Sequence, residues 1–303
     1  TRIQDQDADG LTFPAGITVV TALDGVTVDG QDVAAGGSTA ITVTNSSPSL
    51  IDVIVVGGTA ADAVGLRVTE TAGSTAAPTI LRGTYTATAL SGGTATAVRL
   101  EASSPRITDS TIGGGGVGGM ATAATSYGIR CIDCAGTTMT NGSVNGGAAT
   151  TRAIGLYGTG DMTRVSFTST SFQGGSTSAA ASRSSGVFLE SCSGSPDFVT
   201  TTTFGGSSIG SVAGTTRTAF EAEGATCSPR LSGGRHMGCE VGVMCIGVAC
   251  RTASPCTILN ATIVGATGSG YHIFGVRCLT GGCASLAGND VRAGTMSTTS
   301  AGP

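Results

Sequence analysis

The chain has 303 residues and a net charge of −4, with 50 glycines, no tryptophan and 4% aromatic residues. A globular core of this size normally uses aromatic rings for bulk, so the filling here falls to Val, Ile, Leu, Ala and Thr in thin layers, as in a stack of strands. Charged residues are 11% and every basic one is arginine; that balance gives no field to gather nucleic acid, and no apolar run approaches the roughly 20 residues of a membrane-crossing helix.

Residues 1–16 stand outside the pattern that follows and read as an N-terminal acidic extension or cap. Asp5, Asp7 and Asp9 alternate within Asp5-Gln6-Asp7-Ala8-Asp9-Gly10 as the carboxylates of a calcium loop do, so calcium is the cofactor this segment offers. Position twelve of such a loop would be Gly16 instead of a bidentate glutamate. A solvated acidic terminus is therefore preferred over a calcium clip. Thr1 carries no signal peptide ahead of it, as in a processed, mature chain.

From residue 17 to 303 the chain repeats. Ile17–Val20 and Val26–Val28 are short strands separated by the turn residues Leu23-Asp24-Gly25. Ser-Pro or Ala-Pro then recurs at Pro48, Pro78, Pro105, Pro196, Pro229 and Pro255, with gaps of 30, 27, 91, 33 and 26. The gap of 91 holds three periods, its missing members falling near Thr137 and Thr163. A second marker is Gly or Ala before an apolar residue: Ala40-Ile41, Gly65-Leu66, Ala97-Val98, Gly128-Ile129, Gly155-Leu156, Gly186-Val187, Ala219-Phe220, Gly242-Val243 and Gly275-Val276. From Gly65 to Gly275 this marker takes seven steps in 210 residues, a mean of 30. An apolar column follows the proline: Leu50, Ile80, Ile107, Met139, Val165, Phe198, Leu231, Ile258 and Leu286.

Segments this short and this rich in glycine are strands, and hairpins with two-residue turns between long alternating runs are missing. One circuit per repeat stacks like on like at about 4.8 Å, with proline at a corner where the ladder does not need its N–H. The expectation is an all-β, single-domain parallel β-helix of about nine to ten rungs over residues 17–303. The run Ser104-Pro105-Arg106-Ile107-Thr108-Asp109-Ser110-Thr111-Ile112-Gly113, continued by Tyr127-Gly128-Ile129-Arg130-Cys131, resembles the repeats of secreted bacterial proteins of the pectin-lyase-like superfamily. That resemblance implies a right-handed coil and secretion, and it is silent on activity because the fold hosts lyases, hydrolases, adhesins and spikes.

No catalytic constellation emerges. Asp52, Asp109 and Asn141 share a column with Arg82 and read as a corner hydrogen-bonding device, while His236 and His272 have no carboxylate beside them. Arg67, Arg99 and Arg130 head a column continued by Tyr157, Phe188, Glu221, Met244 and Arg277. Stacked arginines repel unless compensated. An anionic polysaccharide is one answer; local pairing with Glu70, Glu101 and Asp133 is preferred. Thr84, Thr111, Ser143, Ser169, Thr202 and Thr262 form a hydroxyl column, read as satisfying backbone in preference to binding ice.

The ten cysteines imply an oxidising compartment and five disulfides: Cys131 with Cys134, Cys192 with Cys227, Cys239 with Cys256, Cys245 with Cys250 and Cys278 with Cys283. Zinc at His236, Cys239, Cys245 and Cys250 is the alternative weighed against them. Neither end shows a stopper, so the ends are expected either to be capped by other parts of a longer precursor or to join another copy end to end, the reading preferred here. The functional expectation is a secreted structural subunit of a fibre or adhesin stalk at the cell surface. A polysaccharide-binding or polysaccharide-cleaving helix and an ice-binding solenoid are the alternatives.

Overall fold

The computed structural model describes residues 2–4, 10–15, 22–72, 75–115, 123–179, 181–206, 215–224, 226–240, 242–251, 255–267, 269–279 and 283–296. Every regular element among them is a strand, and every strand pairing is parallel. The chain is a β-solenoid with three strand faces.

The first face is a ten-stranded sheet of short strands from Ala22–Asp24 to Cys283–Ala287. Its central residues stack in one inward ladder: Leu23, Leu50, Ile80, Ile107, Met139, Phe167, Phe198, Leu231, Ile258 and Leu286. The second and third faces belong to one 21-stranded sheet that bends between them. On the second, Val28, Val55, Tyr85, Ile112, Val144, Phe172, Thr203, His236, Ile263 and Val291 point inward. On the third, Ile41, Leu66, Val98, Ile129, Leu156, Val187, Phe220, Val248 and Val276 do so. These ladders meet in one continuous buried core.

Four of the phenylalanines cluster in the core of the middle rungs. Phe198 stacks on Phe167 with ring centroids 5.2 Å apart and meets Phe220 edge-on at 5.0 Å, while Phe172 stands perpendicular to Phe167 at 5.1 Å. Such pairs add to burial what a core of small residues lacks.

Each sequence marker has a steric cause. Thr79, Arg106, Thr138, Arg230 and Thr257 donate their N–H to the carbonyls of Pro48, Pro78, Pro105, Pro196 and Pro229, so proline supplies the acceptor its position requires and forgoes only the donor. The glycines of the second marker sit where one rung presses on the next: a Cβ on Gly128 would lie 2.8 Å from the carbonyl oxygens of Asn145 and Gly155. The corner between the first two faces is a single left-handed residue on each rung: Gly25, Asp52, Arg82, Asp109, Asn141, Ser169, Thr200, Gly233, Asn260 and Gly288, with φ between 48° and 71°. The Asp52–Arg82–Asp109–Asn141 column is this corner, and Arg82 holds Asp52 there through Nε–Oδ1 and Nη2–Oδ2 contacts of 2.8 and 2.7 Å.

Several expectations need correcting. Phe167, not Val165, lies between Met139 and Phe198 in the first ladder; Val165 occupies the proline position, its carbonyl receiving Asp197 N–H. Gly247-Val248 replaces Gly242-Val243 in the second marker, because Val248 pairs with Phe220 and Val276. Ser171 replaces Ser169 in the hydroxyl column. Of residues 1–16, the described strands Arg2–Gln4 and Leu11–Phe13 join the coil, pairing with Thr27–Asp29 and Ile41–Val43. The strand expected at Ile17–Val20 lies outside the described residues.

The disulfides are Cys131–Cys134, Cys192–Cys227, Cys239–Cys245, Cys250–Cys256 and Cys278–Cys283. The expected partners of Cys239, Cys245, Cys250 and Cys256 are thus exchanged. Cys245 sits near the start of its strand, beside Cys239 at the end of the strand before it, and Cys250 sits near its end, beside Cys256 at the start of the next. Disulfide formation by Cys239, Cys245 and Cys250 also removes the zinc alternative.

Candidate binding surface on the third face

The outward side of the third face carries the arginine column. Arg67 pairs in register with Arg99, and Arg99 with Arg130. Glu101 answers two of these cations: its Oε2 accepts from Arg67 Nε and Nη2 at 2.9 and 2.8 Å, and its Oε1 from Arg99 Nε at 2.7 Å. Thr69 adds a 3.1 Å hydrogen bond to Oε2, and Asp62 lies 3.3 Å from Arg99 Nη1. Burial alone would raise the Glu101 carboxyl, but the hydrogen bond and charge of Arg67 and the charge of Arg99 outweigh it and hold the group below its ordinary value.

The other expected partners are engaged elsewhere. Glu70 accepts from the Ala76 N–H at 3.0 Å, and Asp133 from the Asp161 N–H at 2.8 Å. Arg130 makes no ion pair among the described residues. Its guanidinium lies 5.7 Å from the Tyr127 ring centre, and its buried Nε has no hydrogen-bond partner.

Below Arg130 the column turns aromatic, then acidic. Tyr127 and Tyr157 are 5.3 Å apart, and Tyr157 and Phe188 are 5.9 Å apart. The Tyr157 hydroxyl donates to Glu190 at 2.7 Å; burial first, and this bond second, raise its pKa. Phe188 pairs with Glu221, which is wholly buried between Arg251 at 2.7 Å and Arg183 at 3.7 Å. Burial pushes the Glu221 carboxyl up, against the pull of Arg183 and Arg251. Ala249, not Met244, follows Glu221, and Arg277 follows Ala249. Arg183 also lies 4.5 Å from the Phe188 ring centre.

In the neighbouring column Thr96, Tyr127, Ile154, Ser185 and Thr218 follow one another, and the hydroxyls of Thr96, Ser185 and Thr218 are buried with no hydrogen-bond partner among the described residues. An unanswered buried hydroxyl costs about 1–3 kcal/mol. The band presents Arg130, a cation without an ion pair among the described residues, beside aromatic faces, a surface suited to a polar ring carrying negative charge. Glu221 was legible as a member of the column; its arginine partners were not, because they come from other offsets on neighbouring strands.

The remaining candidates lie elsewhere. Asp5, Asp7 and Asp9 fall outside the described residues. Among the described residues no group of three His, Cys, Asp or Glu has a metal-holding arrangement. His236 is wholly buried on the second face, its Nδ1 2.8 Å from Thr203 Oγ1, whereas His272 is exposed on the third.

No protein-family model matches the chain, and no curated protein does. Among solved structures it is similar to pectate lyase Pel9A, at 11% identity over 94% of this chain and 74% of that one, with a TM-score of 0.46. It is also similar to PfbA, a surface adhesin of Streptococcus pneumoniae, at 10% identity over 93% of this chain and 86% of that one, with a TM-score of 0.17. At these values neither likeness carries the activity of its namesake to this chain.

Proposed function

We propose that the chain is a secreted structural solenoid whose copies join end to end into a cell-surface fibre or adhesin stalk. The supporting observation is the condition of the two outermost described rungs. Leu286 and Val291 occupy inward ladder positions yet are 51% and 49% exposed. At the opposite end Leu11 and Leu23, also on inward ladders, are only partly buried. A second copy placed head to tail continues those ladders, a heterologous contact that propagates. Five disulfides and the absence of lysine-rich surface suit a durable extracellular element.

Electron microscopy and sedimentation across a concentration series test this reading. Filaments or a concentration-dependent series of oligomers are expected, and Leu286→Asp with Val291→Asp abolishes them while leaving the β-sheet circular dichroism intact. A protein that stays monomeric at high concentration overturns the reading.

A second reading, a polysaccharide-binding solenoid, is favoured by Arg130, which makes no ion pair among the described residues and stands beside Tyr127. A glycan array including acidic polysaccharides tests it, with Arg130→Gln as the control that loses the signal.

A further inference from the structure

A cavity of about 540 Å³ opens on the outer surface where the first face begins, well separated in sequence register from the arginine band. Its floor is small, Ala77, Ala135 and Gly136, and its walls carry Arg106, Arg164 and Asp161. Arg106 opens a strand of the first face that stacks on Thr138, and Thr138 stacks on Ser166, two residues beyond Arg164. The two arginines are thus two rungs apart, about 10 Å along the stack, and both line the cavity.

Three observations converge here. Arg106 and Arg164 are both exposed, and neither has an ion-pair partner among the described residues. Arg164 holds φ of 59°, a left-handed conformation that strains an ordinary side chain. The residue stacked on it in the preceding rung is Gly136, with φ of 82°, whose N–H donates to the Thr163 carbonyl. The turns are equivalent, since Thr137 N–H reaches the Cys134 carbonyl and Val165 N–H the Met162 carbonyl. A guanidinium therefore stands, under strain, where the neighbouring rung uses glycine. The carboxylate in the cavity is partly committed: the Thr163 side chain first and its N–H second, the latter at 2.9 Å, hydrogen-bond Asp161 and lower its pKa.

We propose that this cavity binds a tetrahedral oxyanion, the sulfate or phosphate ester of a sugar-sized group, between Arg106 and Arg164. Two guanidinium forks supply the parallel N–H donors such a group accepts, and the volume admits a ring as well as the ester. The site is independent of end-to-end stacking and of the third face.

Titration calorimetry on the full chain with glucose 6-sulfate, glucose 6-phosphate, inorganic sulfate, inorganic phosphate and glucose tests it. Saturable, salt-sensitive binding of a sugar ester is expected, with the inorganic ions weaker and glucose silent; which ester binds tighter identifies the source. Arg164→Gly weakens binding about tenfold or more while the melting temperature does not fall, because glycine is at ease in that conformation. Arg106→Gln, on a regular exposed strand position, weakens it likewise. Asp161→Asn keeps an acceptor for Thr163 and tightens it. No saturation by either ester at about 10 mM, or binding indifferent to both arginine variants, overturns the proposal.

Discussion

Gly155 lies so close to the next rung that a Cβ on it would sit 2.5 Å from the Gly186 carbonyl oxygen and 2.8 Å from that of Gln173. Both neighbours are backbone, so neither gives way as a flexible side chain would. Gly155→Ala is expected to lower stability by about 1–3 kcal/mol through overpacking. A thermal melt compared with Gly113→Ala, where a Cβ meets nothing within 4 Å, checks it; equal losses would show that steric approach is not the cause.

The corner row makes the opposite prediction. Thr200 is β-branched yet holds φ of 50°, where Asn141 and Asn260 hold the same position on other rungs. Thr200→Asn removes the branch and is expected to stabilise the fold by about 1 kcal/mol. Its hydroxyl contacts, to Ser169 and its neighbour's carbonyl, are exposed. Chemical denaturation reads the sign directly, and a loss in place of a gain would show those contacts to matter more than the strain.

Acid should weaken the fold through His236. Burial depresses its pKa to about 4 from the ordinary 6.5, so the native state keeps the ring neutral while the unfolded chain takes up a proton. Stability is then full above pH 6.5 and is lost as pH falls toward 4, by about 3 kcal/mol at most. Glu221 acts with the other sign, since its raised carboxyl contributes stability that fades as pH climbs above the unfolded value. His236→Gln isolates the first effect: its stability profile between pH 6.5 and 4 should be flatter than the parent's. Parallel profiles would place the acid sensitivity elsewhere.

Glu101→Gln leaves Arg67 and Arg99 facing each other on successive rungs with little but Asp62 between them. A loss of about 1 kcal/mol is expected, kept small by solvent screening of these half-exposed groups. The loss should grow at low salt, whereas a salt-independent loss would indicate packing.

Cystine connectivity is testable by cleavage without reduction. Cyanogen bromide with trypsin cuts after Met237, Met244, Arg251 and Arg277, separating Cys239 from Cys245 and Cys250, and those from Cys256. The pairs Cys239–Cys245 and Cys250–Cys256 hold three of these peptides together as one species. The pairing expected from spacing would instead release the peptide 245–251 as a closed loop.

Much of the coil was legible because a parallel stack repeats its steric demands. Proline, the small marker and the apolar residue after the corner each meet the same neighbours on every rung. The errors have the same origin. Val165 and Phe167 are both buried and two apart, and a period of two places both on one side of a strand. Gly242-Val243 and Gly247-Val248 are interchangeable as text, and only the pairing of Val248 with Phe220 chooses between them. Residues 1–16 hid their strands because Arg2–Gln4 and Leu11–Phe13 are three residues each, too short to show alternation. At the binding band, Arg67 and Arg99 could be read as neutralised, but not that one glutamate serves both while Glu70 and Asp133 serve the backbone. The left-handed Arg164 left no trace in the sequence at all, since an arginine in a turn looks the same whichever way its backbone bends.

Four of the five cystines tie residues no more than six apart, and Cys192–Cys227 joins adjacent circuits. The covalent mesh is therefore as short-sighted as the packing. Under tension along its axis, one circuit can let go while those farther off keep their shape, and the slack released is a single loop's worth. An object made this way yields in small instalments and does not break all at once.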